Sequence, residues 1–217
     1  MATATADAAK FWNKIAPKYA RDPIKDMVSY EMTLDKTRGH LGPDSQVLEI
    51  GAGTGSTAMI LAKDCGHITA TDISEKMLEV GREKAWNEGI GNITFEVRLA
   101  EDMPEGPFDA VLAHNLLHLV EDLPLVLARA KEVLRPGGVL ISKTFVKPKS
   151  GINPLYRVMK VMLPIMQFFG KAPFVAFLSR EELEQSFVDA GFEIVESGRF
   201  PAGNTDFIRL PERPEPP

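Results

Sequence analysis

Cysteine is almost missing from this chain of 217 residues, where Cys65 stands alone. That excludes an internal disulfide framework and any metal site built from several thiolates. Long apolar runs are also missing. Although 44% of the residues are hydrophobic, no stretch approaches the ~20 residues that a membrane-spanning helix needs. Basic residues are in the minority, 25 against 30 acidic, for a net charge of −5. That is the wrong sign for a protein that grips phosphate backbones, so no nucleic-acid partner is expected. The four histidines are scattered and unpaired at ligand spacing, so no metal is expected either. Residues 1–10 lack a basic start followed by an apolar stretch, and a secretory signal is not expected. The length is ample for one buried core. These features predict a cytoplasmic globular domain without stable membrane insertion; oligomeric state is left open.

Helical periodicity marks the first forty residues. Phe11, Ile15 and Tyr19 recur at four-residue spacing, then Met27, Tyr30 and Leu34 at three and four, with Pro23 between the two segments. From residue 46 short apolar runs alternate with helical ones. Strands are predicted at 46–50, 67–71, 93–97, 108–113 and 139–145. Helices are predicted over 56–63, from a Ser74 cap to about Trp86, and over 123–134, the last stopped by Pro136-Gly137-Gly138. This alternation implies right-handed crossovers and a doubly wound α/β domain with a mostly parallel sheet. The last third differs: 153–170 is apolar and methionine-rich, and 180–190 is a helix following Ser179. Strand candidates at 192–196 and 206–210 suit an antiparallel C-terminal edge hairpin. The proline-rich 211–217 reads as a flexible tail.

The strongest signal is Val47-Leu48-Glu49-Ile50-Gly51-Ala52-Gly53-Thr54-Gly55. A buried strand feeding a glycine-rich turn and then a helix lets a ligand lie against bare backbone, with amides pointing at it. The same pattern also occurs as a plain turn with no ligand. Asp72 tips the balance. It ends the second strand about 20 residues on, where a carboxylate can accept both ribose hydroxyls of an adenosine; capping the next helix is a compatible second role. Dinucleotide sites favour G-x-G-x-x-G, whereas here the third glycine, Gly55, comes one residue early and Ser56 takes the dinucleotide position.

With these residues in hand, the chain resembles the class I S-adenosylmethionine-dependent methyltransferases over about residues 11–192. The resemblance rests on four ordered blocks, at 47–55, 71–77, 108–120 and 134–141. It is nearest the small-molecule branch that includes quinone-biosynthesis methyltransferases, whose N-terminal lid the opening Phe11-Trp12-Asn13-Lys14-Ile15-Ala16-Pro17-Lys18-Tyr19 is similar to. It implies a Rossmann-like fold with a seven-stranded sheet and three regions: a helical lid over 1–40, a cofactor domain over 41–210 with a helical acceptor-side insertion at 150–178, and the tail.

The resemblance also implies roles. Gly51, Ala52, Gly53 and Gly55 would admit the amino-acid arm of S-adenosylmethionine (product S-adenosylhomocysteine), and Glu49 would accept from its ammonium. Asp72 would hold the ribose, Ile73 and Met77 would pack on adenine, and Ala100 would offer a backbone amide to its edge. The family usually carries an acidic residue before that alanine. This chain has Leu99, leaving Glu101 or Asp102 to substitute.

A sulfonium methyl is already a strong electrophile, so rate comes mostly from holding the acceptor in line, where orientation can supply ~7–11 kcal/mol. A base is needed only if the acceptor loses a proton. His114, Asn115 and His118 follow the fourth strand, at the carboxyl end of the sheet. Of these, His114 is the better placed, through its ring as a base or through its backbone at the cofactor, and His118 reads more readily as locally satisfied. Trp12, Tyr19 and Tyr30 are lid aromatics that either face the sulfonium or pack the first helix onto the sheet; because a buried tyrosine hydroxyl needs a polar partner, Tyr19 is expected at the cofactor and Tyr30 among the catalytic residues with His114.

The 153–170 segment carries Tyr156, Met159, Met162, Met166, Phe168 and Phe169, with Lys147, Lys149, Arg157 and Lys160 in or beside it. It reads as a core cover, as a lid over an apolar small-molecule acceptor, or as a peripheral lipid contact. No Asn/Asp-Pro-Pro-aromatic motif of nucleic-acid amino methylation follows the fourth strand, and no Pro-Cys pair of cytosine methylation occurs. One thiol also speaks against arsenic methylation. The expected function is methyl transfer to a small, apolar or amphipathic molecule. The alternatives are a nucleotide-dependent oxidoreductase and a non-catalytic cofactor-binding module.

Overall fold

Short runs of β-branched and aliphatic residues bounded by turn residues become the strands of a sheet that is buried on both sides. The computed structural model describes residues 2–147, 154–168, 170–199 and 205–210. In chain order the elements are α1 (Ala2–Tyr19), α2 (Met27–Arg38), β1 (Gln46–Ile50), α3 (Ser56–Leu61), β2 (His67–Asp72), α4 (Glu75–Asn87) and β3 (Ile93–Val97). There follow β4 (Phe108–His114), α5 (Leu123–Val133), β5 (Leu134–Phe145), α6 (Pro154–Phe168), α7 (Arg180–Asp189), β6 (Glu196–Arg199) and β7 (Thr205–Leu210).

The five strands β3-β2-β1-β4-β5 are parallel, and beyond β5 the ladder carries β7 and β6 antiparallel. Chain order reverses between β1 and β4, which makes their carboxyl ends the topological switch point. One face packs under α5 and α7 through Leu48, Ile50, Val111, Leu140, Leu127 and Phe187. The other packs under α2 and α3 through Val47, Ile68, Leu112, Ile141, Leu34 and Leu61.

Two boundaries and one packing contact depart from expectation. β5 begins at Leu134 rather than 139, because Leu134 pairs with Phe108 and the ladder resumes only at Val139 opposite Ala110. The Arg135-Pro136-Gly137-Gly138 segment therefore bulges within the strand instead of standing before it. β6 starts at Glu196, not 192, since Phe192 is held in the core, its amide on the Phe187 carbonyl and its ring edge-on to Phe187. Finally, α1 packs against α4 rather than onto the sheet. Asn13 Oδ1 accepts from the Ser74 hydroxyl at 2.8 Å and the Lys76 amide at 3.0 Å. Of the expected acceptor-side residues, Lys149, Asn153 and Phe169 lie outside the described residues, as do 211–217 and the side chains of Tyr156, Arg157, Met159 and Phe168.

Candidate active site

Parallel register sets Glu49 beside Ala70 and Leu112, and His114 beside Lys143. Side chains alternate faces along a strand, so Glu49, Asp72, His114 and Lys143 stand on one face of the sheet. Two residues earlier in each strand, the same face carries Val47, Ala70, Leu112 and Ile141, all buried under α2 and α3. The apolar row thus turns polar at the carboxyl ends of the strands. There a cavity of about 1170 Å³ opens, bordered by the glycine loop, the end of β4 and residues of α1. Sites for single small ligands usually run to ~300–1,000 Å³, so this one has room for a cofactor and an acceptor together.

Asp72 ties the glycine loop to the next helix. Its Oδ2 accepts the Gly53 amide at 2.9 Å and its Oδ1 the Ser74 amide at 2.8 Å. Burial pushes its carboxyl above the ordinary range, opposed by those two donors, while the charge of Glu49 adds to the rise. Gly53 has φ +56, and a Cβ there would meet only the Tyr19 ring, at 3.8 Å, so the loop's bare backbone faces the cavity. Gly51 and Ala52 line it too. Gly55 does not. A Cβ on Gly55 would lie 2.6 Å from the Phe95 ring, so this glycine permits the close approach of α3 to β3.

Glu49 is 2% exposed, and its Oε2 has no hydrogen-bond partner among the described residues. Its Oε1 lies 3.8 Å from His114 Nδ1, beyond hydrogen-bond length, and both His114 ring nitrogens are likewise unpartnered. A buried carboxylate without a donor is costly, ~1–3 kcal/mol or more, and a ligand cation would relieve it. Tyr19 and Tyr30 line the cavity as well. Burial raises the hydroxyl pKa of both, with the carboxylates of Asp72 and Glu49 adding at Tyr19. Tyr30 Oη meets Thr57 Oγ1 at 3.3 Å. Trp12 also lines the cavity.

Ile73, Met77, Leu99, Ala100 and Glu101 line the cavity too. Asp102 does not; it pairs with Arg98 at 3.5 Å, leaving Glu101 as the acid near the expected adenine edge. His118 is also away from the cavity. Its ring tilts against Phe145, and burial drags its pKa down to about 4, so it stays neutral. Asn115 does line the cavity, with φ 56 and its amide on the Lys143 carbonyl at 2.6 Å.

Sequence reasoning passed over Lys143. Its ammonium reaches the Ser29 carbonyl at 3.5 Å, and burial pulls its pKa down, with Asp26 opposing. A lysine two residues after Ile141 in an apolar strand is only a weak signal; the β4–β5 register, which sets Lys143 directly opposite His114, is what singles it out.

These groups fit S-adenosylmethionine: an orphaned buried carboxylate for the ammonium, a second carboxylate at the tip of β2 for the ribose, apolar walls for adenine. A methyltransferase-domain family model matches residues 41–169, more than half of the chain. The ubiquinone/menaquinone biosynthesis C-methyltransferase UbiE of Shewanella piezotolerans is 33% identical over 212 residues, covering 86% of this chain and 83% of the relative. The demethylmenaquinone methyltransferase of Tropheryma whipplei is 30% identical over 167 residues, covering 74% and 68%. Among solved structures, the magnesium protoporphyrin IX methyltransferase of Synechocystis, with bound S-adenosylhomocysteine, superposes at TM-score 0.70 and 19% identity, over 94% of this chain and 98% of that one. With a family model over most of the central sheet and relatives of this identity along most of their length, the chain belongs to the S-adenosylmethionine-dependent methyltransferases.

Proposed function

We propose that the chain methylates a ring carbon of an apolar, hydroxylated aromatic molecule, the quinone-precursor chemistry in the names of its relatives. Bound S-adenosylmethionine supplies a methyl carbon already activated by sulfonium charge. Glu49 accepts from the cofactor ammonium, Asp72 from the ribose, and Ile73 and Met77 flank the adenine beside Ala100 and Glu101. Gly51, Ala52 and Gly53 admit the amino-acid arm under Tyr19.

The observation that carries the acceptor reading is Lys143, which shares a sheet face with Glu49 and His114. Burial favours loss of its proton, so it suits taking a ring hydroxyl's proton and then holding the oxygen anion. The electron density this places on the neighbouring carbon would form the new bond to the methyl as the methyl–sulfur bond breaks, its electron pair leaving on S-adenosylhomocysteine. His114, with both ring nitrogens free of protein partners among the described residues, is placed to take the proton which that carbon sheds. Tyr30 orients the acceptor from the lid side.

We read residues 1–40 as a lid, supported by the Asn13 contacts to α4, and 150–178 as the acceptor-side insertion, supported by Gln167 and Phe174 on the cavity wall. The seven-stranded form of the sheet has the antiparallel pairings of β7 with β5 and β6 as its support. The test is radiolabelled methyl transfer to a demethylated hydroquinone with a prenyl tail, set against amine, thiol and carboxylate acceptors. Label on a hydroquinone carbon is expected, with kcat falling ~10²-fold or more in Lys143→Met. Label on amine or thiol acceptors alone would contradict the reading.

A further inference from the structure

Helix α6 turns an apolar stripe to solvent. Val158, Val161, Met162, Ile165 and Met166 follow three-and-four spacing and are between 39% and 68% exposed. A helix in water normally packs such a stripe against a core, so the structure departs here from the core-cover reading. The segment that carries it is one-signed in sequence, although Lys147 pairs with Glu182 of α7. Residues 147–171 hold five Lys or Arg and no Asp or Glu, in a chain whose net charge is −5. The helix also ends on the rim of the cavity. Gln167 lines it and donates to the Pro173 carbonyl at 2.9 Å. Ile24, Leu125 and Phe174 on the cavity wall are apolar and themselves exposed.

We propose that α6 lies in the interface of an anionic lipid bilayer, with Val161 and Ile165 among the immersed side chains and the cavity mouth opening on that surface. An apolar stripe inside a wholly basic segment is the composition of a helix that lies along a membrane rather than through it. Among the described residues no helix is long and apolar enough to cross one. A lipid surface, unlike a second copy of this chain, also accounts for the apolar rim, because an acceptor with a hydrocarbon tail then enters without crossing water. Docking stands apart from the acceptor assigned above: a chain that binds vesicles yet methylates a different molecule keeps this proposal and loses that one.

The test is flotation of the full chain with vesicles of phosphatidylcholine alone and of phosphatidylcholine mixed with phosphatidylglycerol. Flotation with the mixed vesicles, weakened by salt, is expected. The double variant Val161→Glu/Ile165→Glu is expected to bind them at least ~tenfold more weakly, with unchanged calorimetric binding of S-adenosylhomocysteine showing an intact fold. Lys160→Glu is expected to weaken binding to the mixed vesicles. Protein left in solution with both vesicle types, flotation indifferent to the double variant, or a solution dimer that the double variant disperses would each overturn the proposal.

Discussion

At Asp72 each carboxylate oxygen already accepts one backbone N–H, from Gly53 on one side and Ser74 on the other. Each keeps a second lone pair for a ribose hydroxyl. Removing the side chain therefore has two consequences that can be measured apart. Asp72→Ala is expected to lower cofactor affinity at least ~tenfold, since hydrogen bonds to a charged acceptor are lost. It is also expected to lower unfolding free energy by ~1–3 kcal/mol, because two amides lose their acceptor. Calorimetry reads the first and a urea melt the second; unchanged affinity with lowered stability would reduce Asp72 to a loop tether. Gly55 makes the opposite prediction. Its φ of +67 and the Phe95 ring 2.6 Å from a would-be Cβ make Gly55→Ala destabilising by at least ~1–2 kcal/mol from backbone strain alone. Affinity should stay near wild type once the variant is folded, because Gly55 does not border the cavity.

Among the elements, the short turn Leu117–Leu119 after β4 carries the clearest pH signature. Burial lowers the His118 pKa from 6.5 to about 4. As pH falls below 6.5, the unfolded chain takes up this proton before the folded one. The stabilisation is therefore complete above pH 6.5 and is lost between 6.5 and about 4, at most ~3 kcal/mol. Melting temperatures followed across that range should fall less steeply in His118→Leu than in the wild type. Parallel curves would contradict the assignment.

Elements were legible where one local signal decided them. β1 and β3 lie where the apolar runs placed them, and Ser74 caps α4 by accepting the Met77 amide. Where tertiary pairing competed, local reading slipped. Leu134 continues the helical pattern of 123–134 yet is drawn into the ladder by Phe108, and Phe192 opens a run that reads as strand yet is buried behind α7.

For the whole molecule, the site is a consequence of strand order. The reversal between β1 and β4 brings Glu49 and His114 together from distant parts of the chain, and the glycine loop closes over the same crevice. The motif in residues 47–55 and the distant Asp72 are readable from sequence as parts of one crevice, and the Gly53–Asp72 hydrogen bond joins them there. Lys143 was not readable in the same way, because a lone lysine at a strand end looks like ordinary alternation until register sets it beside His114. The orphaned Glu49 Oε2 was hidden too, since burial without a partner is a property of packing.

The most direct measurement exploits that oxygen: titration of S-adenosylhomocysteine into the wild-type chain and into Glu49→Gln, which keeps the side chain's shape and removes its charge. The expected result is at least ~tenfold weaker binding in the variant, with unfolding stability held or raised once the buried charge is gone. Equal affinity for the two proteins would show that the ligand's ammonium group does not rest on Glu49, and the placement of the cofactor at the tips of β1 and β2 would be wrong.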